Sequence, residues 1–330
     1  MPKFLIIRFS SIGDIVLTTP LLRCIKNQLR DAEIQYLTKP AFAQILETNS
    51  YIDKLWLWNE KSSQLLEELK SQRFDCIIDL HHNLRSARVK WALGVQSFSF
   101  RKLNIEKYLY VNFKLNRLPN VHIVDRYFET VAAFGISNDQ QGLDFFIPPA
   151  DEFSVDDLPE SHRSGFVALV VGALKATKRM PVEKLIELCK LLSLPIVLLG
   201  GKAEMNDASQ IADHAGKMVF SLAGKLSILQ SASVVKQAKV VITHDTGLMH
   251  IAAAFHKPVI SIWGNTVPSF GMYPYLPNEP EKNFMVEVNG LPCRPCSKIG
   301  YNKCPKGHFK CMINQDLSII SRQANSYYFV

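Results

Sequence analysis

Polar side chains gather at three points of this 330-residue chain where an apolar run gives way to a helical pattern. The first is Arg8-Phe9-Ser10-Ser11-Ile12-Gly13-Asp14, directly after Phe4-Leu5-Ile6-Ile7. Asp14 could cap the helix that follows or, facing a cleft, take a proton from a hydroxyl; spacing alone favours the cap. Gly13 permits a tight turn or the close approach of a ligand. The second segment runs from Gly172 to Pro181, and its Lys175, Lys178 and Arg179 with the Thr177 hydroxyl form an anion site beside a helix N-terminus. A solvated loop is the equally weighted alternative. The third is His244-Asp245-Thr246-Gly247-Leu248-Met249-His250. The N–H groups of Thr246 and Gly247 lack partners within the coming helix and can bind phosphate oxygens. Asp245 and His250 have simpler roles as a cap and a core histidine. Polar residues between two apolar elements are nevertheless poor packing without a function.

A fourth feature is Cys293-x-x-Cys296 with Cys304, Cys311 and nearby His308. The spacing partly resembles a structural zinc site, but the second pair is loose, and free thiols bracing a loop are the favoured reading. Cys24, Cys76 and Cys189 fall in core elements as small hydrophobes.

The elements that must position these groups alternate along the chain. Strands are expected at 4–7, 34–38, 54–58 and 74–80, with helices at 62–72 and after Pro20 and Pro40. Residues 102–150 are less regular apart from a helix at 124–134, and 147–157 reads as a linker. Alternation then resumes: strands at 166–171, 196–199, 219–222, 240–243 and 259–263 interleave with helices at 182–192, 204–214, 227–237 and 247–255. Residues 265–314 read as mostly irregular, and 315–327 as a closing helix. The fold class expected is α/β, with two Rossmann-like doubly wound domains and a cleft between them. The divisions are 1–150, 151–314 and a C-terminal helix at 315–330. Ligands of such sheets bind at the carboxyl ends of strands, where all three segments lie. A Gly-x-Gly-x-x-Gly dinucleotide fingerprint is missing, which argues against a dehydrogenase.

Composition bounds the class. Hydrophobic residues make up 47% and charged residues 21%, so the chain is globular. No apolar run approaches the ~18 residues of a membrane span, so an integral membrane protein is excluded. Arg8 and Asp14 interrupt the first apolar stretch, and no small-residue cleavage site follows; with seven cysteines, an odd count, this points to a cytoplasmic protein. The formal charge of +8 suits nucleic acid, an anionic membrane surface or a phosphorylated substrate. Denser basic patches are Arg85/Arg88/Lys90 with Arg101/Lys102, and Lys175/Lys178/Arg179.

Taken in order, the segments resemble glycosyltransferase family 9, the ADP-heptose:lipopolysaccharide heptosyltransferases. The resemblance rests on Arg8 to Pro20, Asp79-Leu80-His81-His82-Asn83-Leu84-Arg85-Ser86, Lys178-Arg179-Met180-Pro181 and Gly200 to Glu204. It continues through Ala223 to Ser227, Asp245-Thr246-Gly247-Leu248-Met249-His250 and Gly264-Asn265-Thr266, covering residues 3 to about 313. It implies a GT-B architecture and an inverting transfer without a required metal or cofactor. The donor would be a nucleotide-diphosphate sugar, ADP-heptose, and the acceptor a lipopolysaccharide-core glycolipid at the inner membrane surface. Asp14 would be the general base. Lys178 with Thr246 and Gly247 would hold the diphosphate, Glu204 would contact the ribose and Asp245 would face the donor sugar, with Thr177 and His250 also binding donor; Ser11, Gly13, Arg85 and Arg88 would bind acceptor. The loop 174–178 departs from the heptosyltransferase form. The alternatives are a nucleotide-sugar epimerase or another GT-B enzyme and, further off, a basic nucleic-acid-binding protein, which lacks any recognition signature.

Overall fold

The computed structural model describes residues 2–59 and 63–329; Ser62, where the third helix is expected to begin, lies outside them. The chain divides into two compact units, Met1–Lys102 with Val121–Phe146, and Leu103–Asn120 with Ile147–Val330. Beside the expected divisions at 150 and 314, segments 103–120 and 147–150 and the closing C-terminal helix all group with the second unit.

The first unit runs β1 (Lys3–Ile7), α1 (Ile12–Val16), α2 (Thr19–Gln28), β2 (Glu33–Thr38), β3 (Lys54–Leu57), α3 (Ser63–Ser71), β4 (Cys76–Asp79), α4 (Leu84–Leu93) and β5 (Ser97–Ser99). A helix absent from the sequence reading, α5 (Asn104–Phe113), belongs to the second unit, and α6 (Ile123–Phe128) returns to the first. Its sheet is wholly parallel in the order β3-β2-β1-β4-β5. Strand β1 reads Phe-Leu-Ile-Ile because both of its faces are covered. Pro20 sits in the first turn of α2, where its missing N–H costs nothing.

In the second unit follow α7 (Glu160–Arg163), β6 (Val167–Val170), α8 (Val182–Leu192), β7 (Ile196–Leu199), α9 (Met205–Ala215), β8 (Val219–Ser221), α10 (Ile228–Gln237), β9 (Val240–His244), α11 (Gly247–Ala254), β10 (Val259–Trp263), β11 (Asn283–Glu287), α12 (Lys310–Ile313) and α13 (Leu317–Tyr328). The parallel order is β11-β10-β9-β6-β7-β8. Strand β11 lies in the stretch expected to be irregular; its mixed sequence Asn-Phe-Met-Val-Glu suits an edge strand and gives no buried-strand signal. Helix α8 buries Leu185, Leu188, Cys189 and Leu192, one face at helical spacing. The closing helix α13 is capped by Asp316 and inserts Leu317, Ile320 and Ala324 into the same core.

Each sheet has one place where successive connections turn to opposite sides. In the first unit it lies between β1 and β4, in the second between β6 and β9. Those gaps are where each unit can admit a ligand.

The first unit also contains a buried cation. Arg23 donates to both carboxylate oxygens of Asp139 at 2.8 Å, to Gly142 O at 2.9 Å and to Asp144, tying the 138–144 segment to α2. Arg23→Ala leaves two partly buried carboxylates facing each other. It should lower the urea-unfolding free energy of this unit by about 3 kcal/mol, with only partial recovery in Arg23→Lys, which cannot fork its hydrogen bonds.

Candidate functional site

At the β1/β4 gap the register sets Ile7 beside Asp79, and Arg8 follows at the carboxyl end of β1. Its buried guanidinium donates to Leu80 O, to Ser10 O at 2.8 Å and to the Tyr127 hydroxyl at 3.2 Å. Its remaining arm lies 2.6 Å from Asp14 Oδ1. Asp14 Oδ2 accepts from the Ser11 N–H at 3.0 Å and from Ser11 Oγ at 2.7 Å. Asp14 is therefore not the cap: Ser11 is the N-cap of α1, and Asp14 is its partner one turn on. Gly13 is likewise inside the helix and makes no tight turn. Burial alone would raise the Asp14 pKa, but Arg8 and the two Ser11 hydrogen bonds outweigh it and hold the carboxyl below its usual range.

Asp79, fully buried at the end of β4, accepts from the N–H groups of His81 and His82 and pairs with Lys90 at 2.9 Å. These contacts overcome the upward push of burial on its pKa. They fix the turn into α4, whose Asn83 cap accepts from Ser86 N. Arg85 and Arg88 stand exposed on that helix, Arg88 6.0 Å from the Trp58 ring. The sequence reading passed over the Arg8–Asp14 and Lys90–Asp79 pairs. A cation just past a fully apolar strand, with one carboxylate in the same loop, was the available signal for the first. The second joins residues too far apart to betray it.

In the second unit, the loops after β6 and β9 meet at their own gap. Lys178 Nζ lies 2.6 Å from Asp245 Oδ2, and Thr266 Oγ1 donates to the same oxygen at 3.0 Å. Met180 N–H donates to His244 Nε2 at 3.0 Å, locking the two loops together. Thr246 is the N-cap of α11 and makes no side-chain cap bond; its hydroxyl lies 3.2 Å from Thr243 Oγ1. Asp245, Thr246 and Gly247 are half-buried, and His250 is buried within α11. The first α11 turn, whose N–H groups lack partners within the helix, thus follows directly on the carboxylate that Lys178 holds.

Glu204 completes this side. Its Oε2 accepts from Gly201 N–H at 2.9 Å, and its Oε1 lies 3.2 Å from Arg179. A Cβ on Gly172 would come within 3.0 Å of the Glu204 carboxylate, so the glycine leaves room for it over the end of β6. Thr177, expected to hold donor, has another employment. Its hydroxyl donates to Tyr301 O at 3.1 Å and accepts from Tyr301 N–H at 2.8 Å, pinning the cysteine-bearing segment. In that segment Cys293 Sγ lies 3.7 Å from His308 Nε2, and Cys296 Sγ points at Cys293 O. Burial pushes the Cys296 and Cys311 thiols up to about 12 and about 11. Among the described residues, no three metal-ligating side chains are gathered for an ion.

Two parallel-sheet α/β units of this form make the GT-B architecture. The same architecture occurs in a family 9 glycosyl transferase from Veillonella parvula, with TM-score 0.78 at 20% identity, covering 99% of this chain and 97% of that one. Escherichia coli ADP-heptose lipopolysaccharide heptosyltransferase II gives TM-score 0.74 at 19% identity, over 99% and 98%. Residues 62–302 match glycosyltransferase family 9 (heptosyltransferase), and the chain belongs to that family. Lipopolysaccharide heptosyltransferase 1 of Campylobacter coli is 28% identical over 296 residues, 81% of this chain and 85% of the relative.

The His244 imidazole that joins the two loops is held neutral. Burial pushes its pKa down to about 4 from 6.5, and neighbouring Arg179 adds to that. The unfolded chain takes up this proton near pH 6.5 and the folded one only near 4. Its contribution is therefore complete above about pH 6.5 and lost as pH falls toward 4. Urea midpoints should drop more steeply through that window for the wild type than for His244→Gln, which keeps an acceptor for Met180 without titrating.

Proposed function

We propose that this glycosyltransferase moves a heptose from ADP-heptose to a lipopolysaccharide-core glycolipid, with inversion and without a metal. The observation that carries the donor side is the Lys178–Asp245 pair beside the α11 N-terminus at the β6/β9 switch point. A departing diphosphate needs positive charge where its own charge develops, and a lysine with the end of a helix supplies it. The heptose and ADP assignment draws on the relatives: the curated ones are named as heptosyltransferases, and Escherichia coli WaaC has been solved with ADP.

In this reading Lys178 exchanges Asp245 for the β-phosphate, and the N–H groups of Thr246 and Gly247 bind its oxygens. Asp245, released, faces the donor sugar, with His250 buried behind it. Glu204 keeps its Gly201 bond and uses its open lone pairs on the ribose hydroxyls. Thr177 contributes by holding the loop rather than by touching donor. On the acceptor side Asp14 takes the proton of the attacking hydroxyl, while Ser11, Gly13, Arg85 and Arg88 line the approach of an anionic acceptor. A carboxylate held ionised by Arg8 is a weak base toward a free alcohol. It is sufficient once the new C–O bond has begun to form, because the oxygen is then positively charged and strongly acidic. The overall +8 suits work at an anionic surface, the inner face of the cytoplasmic membrane. Among the described residues, no helix is long and apolar enough to cross a membrane.

Incubation with ADP-heptose and the lipid-linked core, in chelator, should yield ADP and a glycosylated acceptor of inverted anomeric configuration by NMR. Turnover of donor without acceptor would favour an epimerase, and a strict metal requirement would remove the metal-free mechanism. Asp14→Asn should slow transfer about 10²–10⁴-fold while ADP binding by calorimetry stays as in the wild type. A near-wild-type rate would remove Asp14 as the base. Lys178→Ala should show the reverse division, weakening ADP binding by about 1.5–3 kcal/mol.

A further inference from the structure

The helix that the sequence reading missed is also the least buried of the long helices. No residue of α5 (Asn104–Phe113) is buried, although it carries Ile105, Tyr108, Leu109, Tyr110, Val111 and Phe113. Ile105 is 74% exposed, Tyr108 58% and Phe113 60%, and Leu115 just beyond is 51% exposed. A ten-residue helix does not hold itself in water. This one is tethered along its other side. Tyr110 meets Phe270 edge-on at 6.2 Å, and Lys107 Nζ lies 5.7 Å from the same ring. Lys298 donates to Asn104 Oδ1, and Lys114 donates to Pro295 O at 2.8 Å. The apolar side chains thus stand outward on a fixed support, with the Tyr108 and Phe113 rings 6.1 Å apart.

The surrounding charge says what covers this face. Between residues 101 and 120 the cations are Arg101, Lys102, Lys107, Lys114 and Arg117, against the single carboxylate of Glu106. Two copies of so basic a segment repel each other, and an acidic lipid surface attracts it. Large apolar side chains on a short helix flanked by cations along the chain are the chemistry of an element that lies in a lipid headgroup layer. We infer that α5 and the residues to Arg117 dock the protein on an anionic bilayer. Ile105, Tyr108 and Phe113 enter the acyl boundary, and the exposed Arg101 and Arg117 that flank the helix meet lipid phosphates, while Lys107 and Lys114 hold its other side. The inference rests on the reading above in one respect, that the acceptor is presented in a membrane; it names the element that reaches it.

The test is flotation of the full chain with phosphatidylcholine vesicles, with and without phosphatidylglycerol. The wild type should float with the anionic vesicles, progressively less as salt is raised, and poorly with the neutral ones. The triple variant Ile105→Gln, Tyr108→Gln, Phe113→Gln keeps good helix formers at exposed positions and should bind about tenfold more weakly or worse. Ile105→Gln alone should fall between, so the series reads even if the triple variant is unstable. Melting temperature and ADP affinity should match the wild type. Transfer to an acceptor embedded in vesicles should fall, and transfer to a delipidated acceptor should not. Wild type that stays with neither vesicle, or variants that float equally well, would overturn the inference. So would sedimentation showing that the substitutions split a dimer, since a second copy would then cover the face. Vesicle binding is read without turnover, so a protein that floats as expected but transfers no heptose would refute the proposed reaction and leave this surface standing.

Discussion

A parallel sheet covered on both faces has few places where its backbone and side chains can meet a ligand. Here that constraint governs both units. Where connections diverge, between β1 and β4 and between β6 and β9, helices cannot cover the strand ends, and polar groups can sit there without being entombed. Every residue proposed for acceptor deprotonation or phosphate binding lies on a loop leaving one of those four strands or in the helical turn that follows. The apolar strands behind them, Phe-Leu-Ile-Ile and Val-Val-Ile-Thr-His among them, are what make such loops rigid enough to hold charges in place.

Both gaps use paired charges, and the pairs are not equivalent. Arg8 is buried and satisfied on every side, by Leu80, Ser10, Tyr127 and Asp14. Removing it would strand a carboxylate, so the pair is built to stay. Lys178 is more open to water than Arg8, and it reaches across to the one carboxylate of Asp245. An incoming diphosphate can replace that carboxylate with a stronger, doubly charged acceptor, so this pair is built to exchange. In the proposed reaction one ion pair would orient the base, and the other would reserve a cation for the ligand.

Much of this was legible beforehand, and the reason differs by element. Helix α8 was bounded to the residue, because its apolar positions repeat at helical spacing and Pro181 precedes it. The central strands were legible because burial on both faces leaves them continuously apolar. Strand β11 and helix α5 were not, for opposite reasons: an edge strand needs no apolar run, and a helix with no buried face has no periodic pattern to show. In the site, single residues were legible and their partners were not. Asp14 stood out as the lone carboxylate of its loop, yet the sequence favoured a cap, when Ser11 takes that position and leaves Asp14 to Arg8. Thr177 was picked for its place among cations; its partner, Tyr301, lies 124 residues on, beyond any local pattern.

That last contact shows how a segment without regular structure can still serve the site. The chain from Cys293 to Cys311 is held by Thr177 through Tyr301, by Asn265 through Cys296, and by Lys114 through two carbonyls. Its Cys296 and Cys311 thiols are raised by burial, so those two stay protonated and pack as weak donors. At the same time Gly264 leaves no space for a Cβ against Thr177 O, which would lie 2.7 Å away. The turn that presents Lys178 is therefore clamped between the end of β10 and the cysteine segment. Were Lys178 to exchange partners as proposed, its backbone would already be fixed, so only the side chain would have to move to meet a diphosphate.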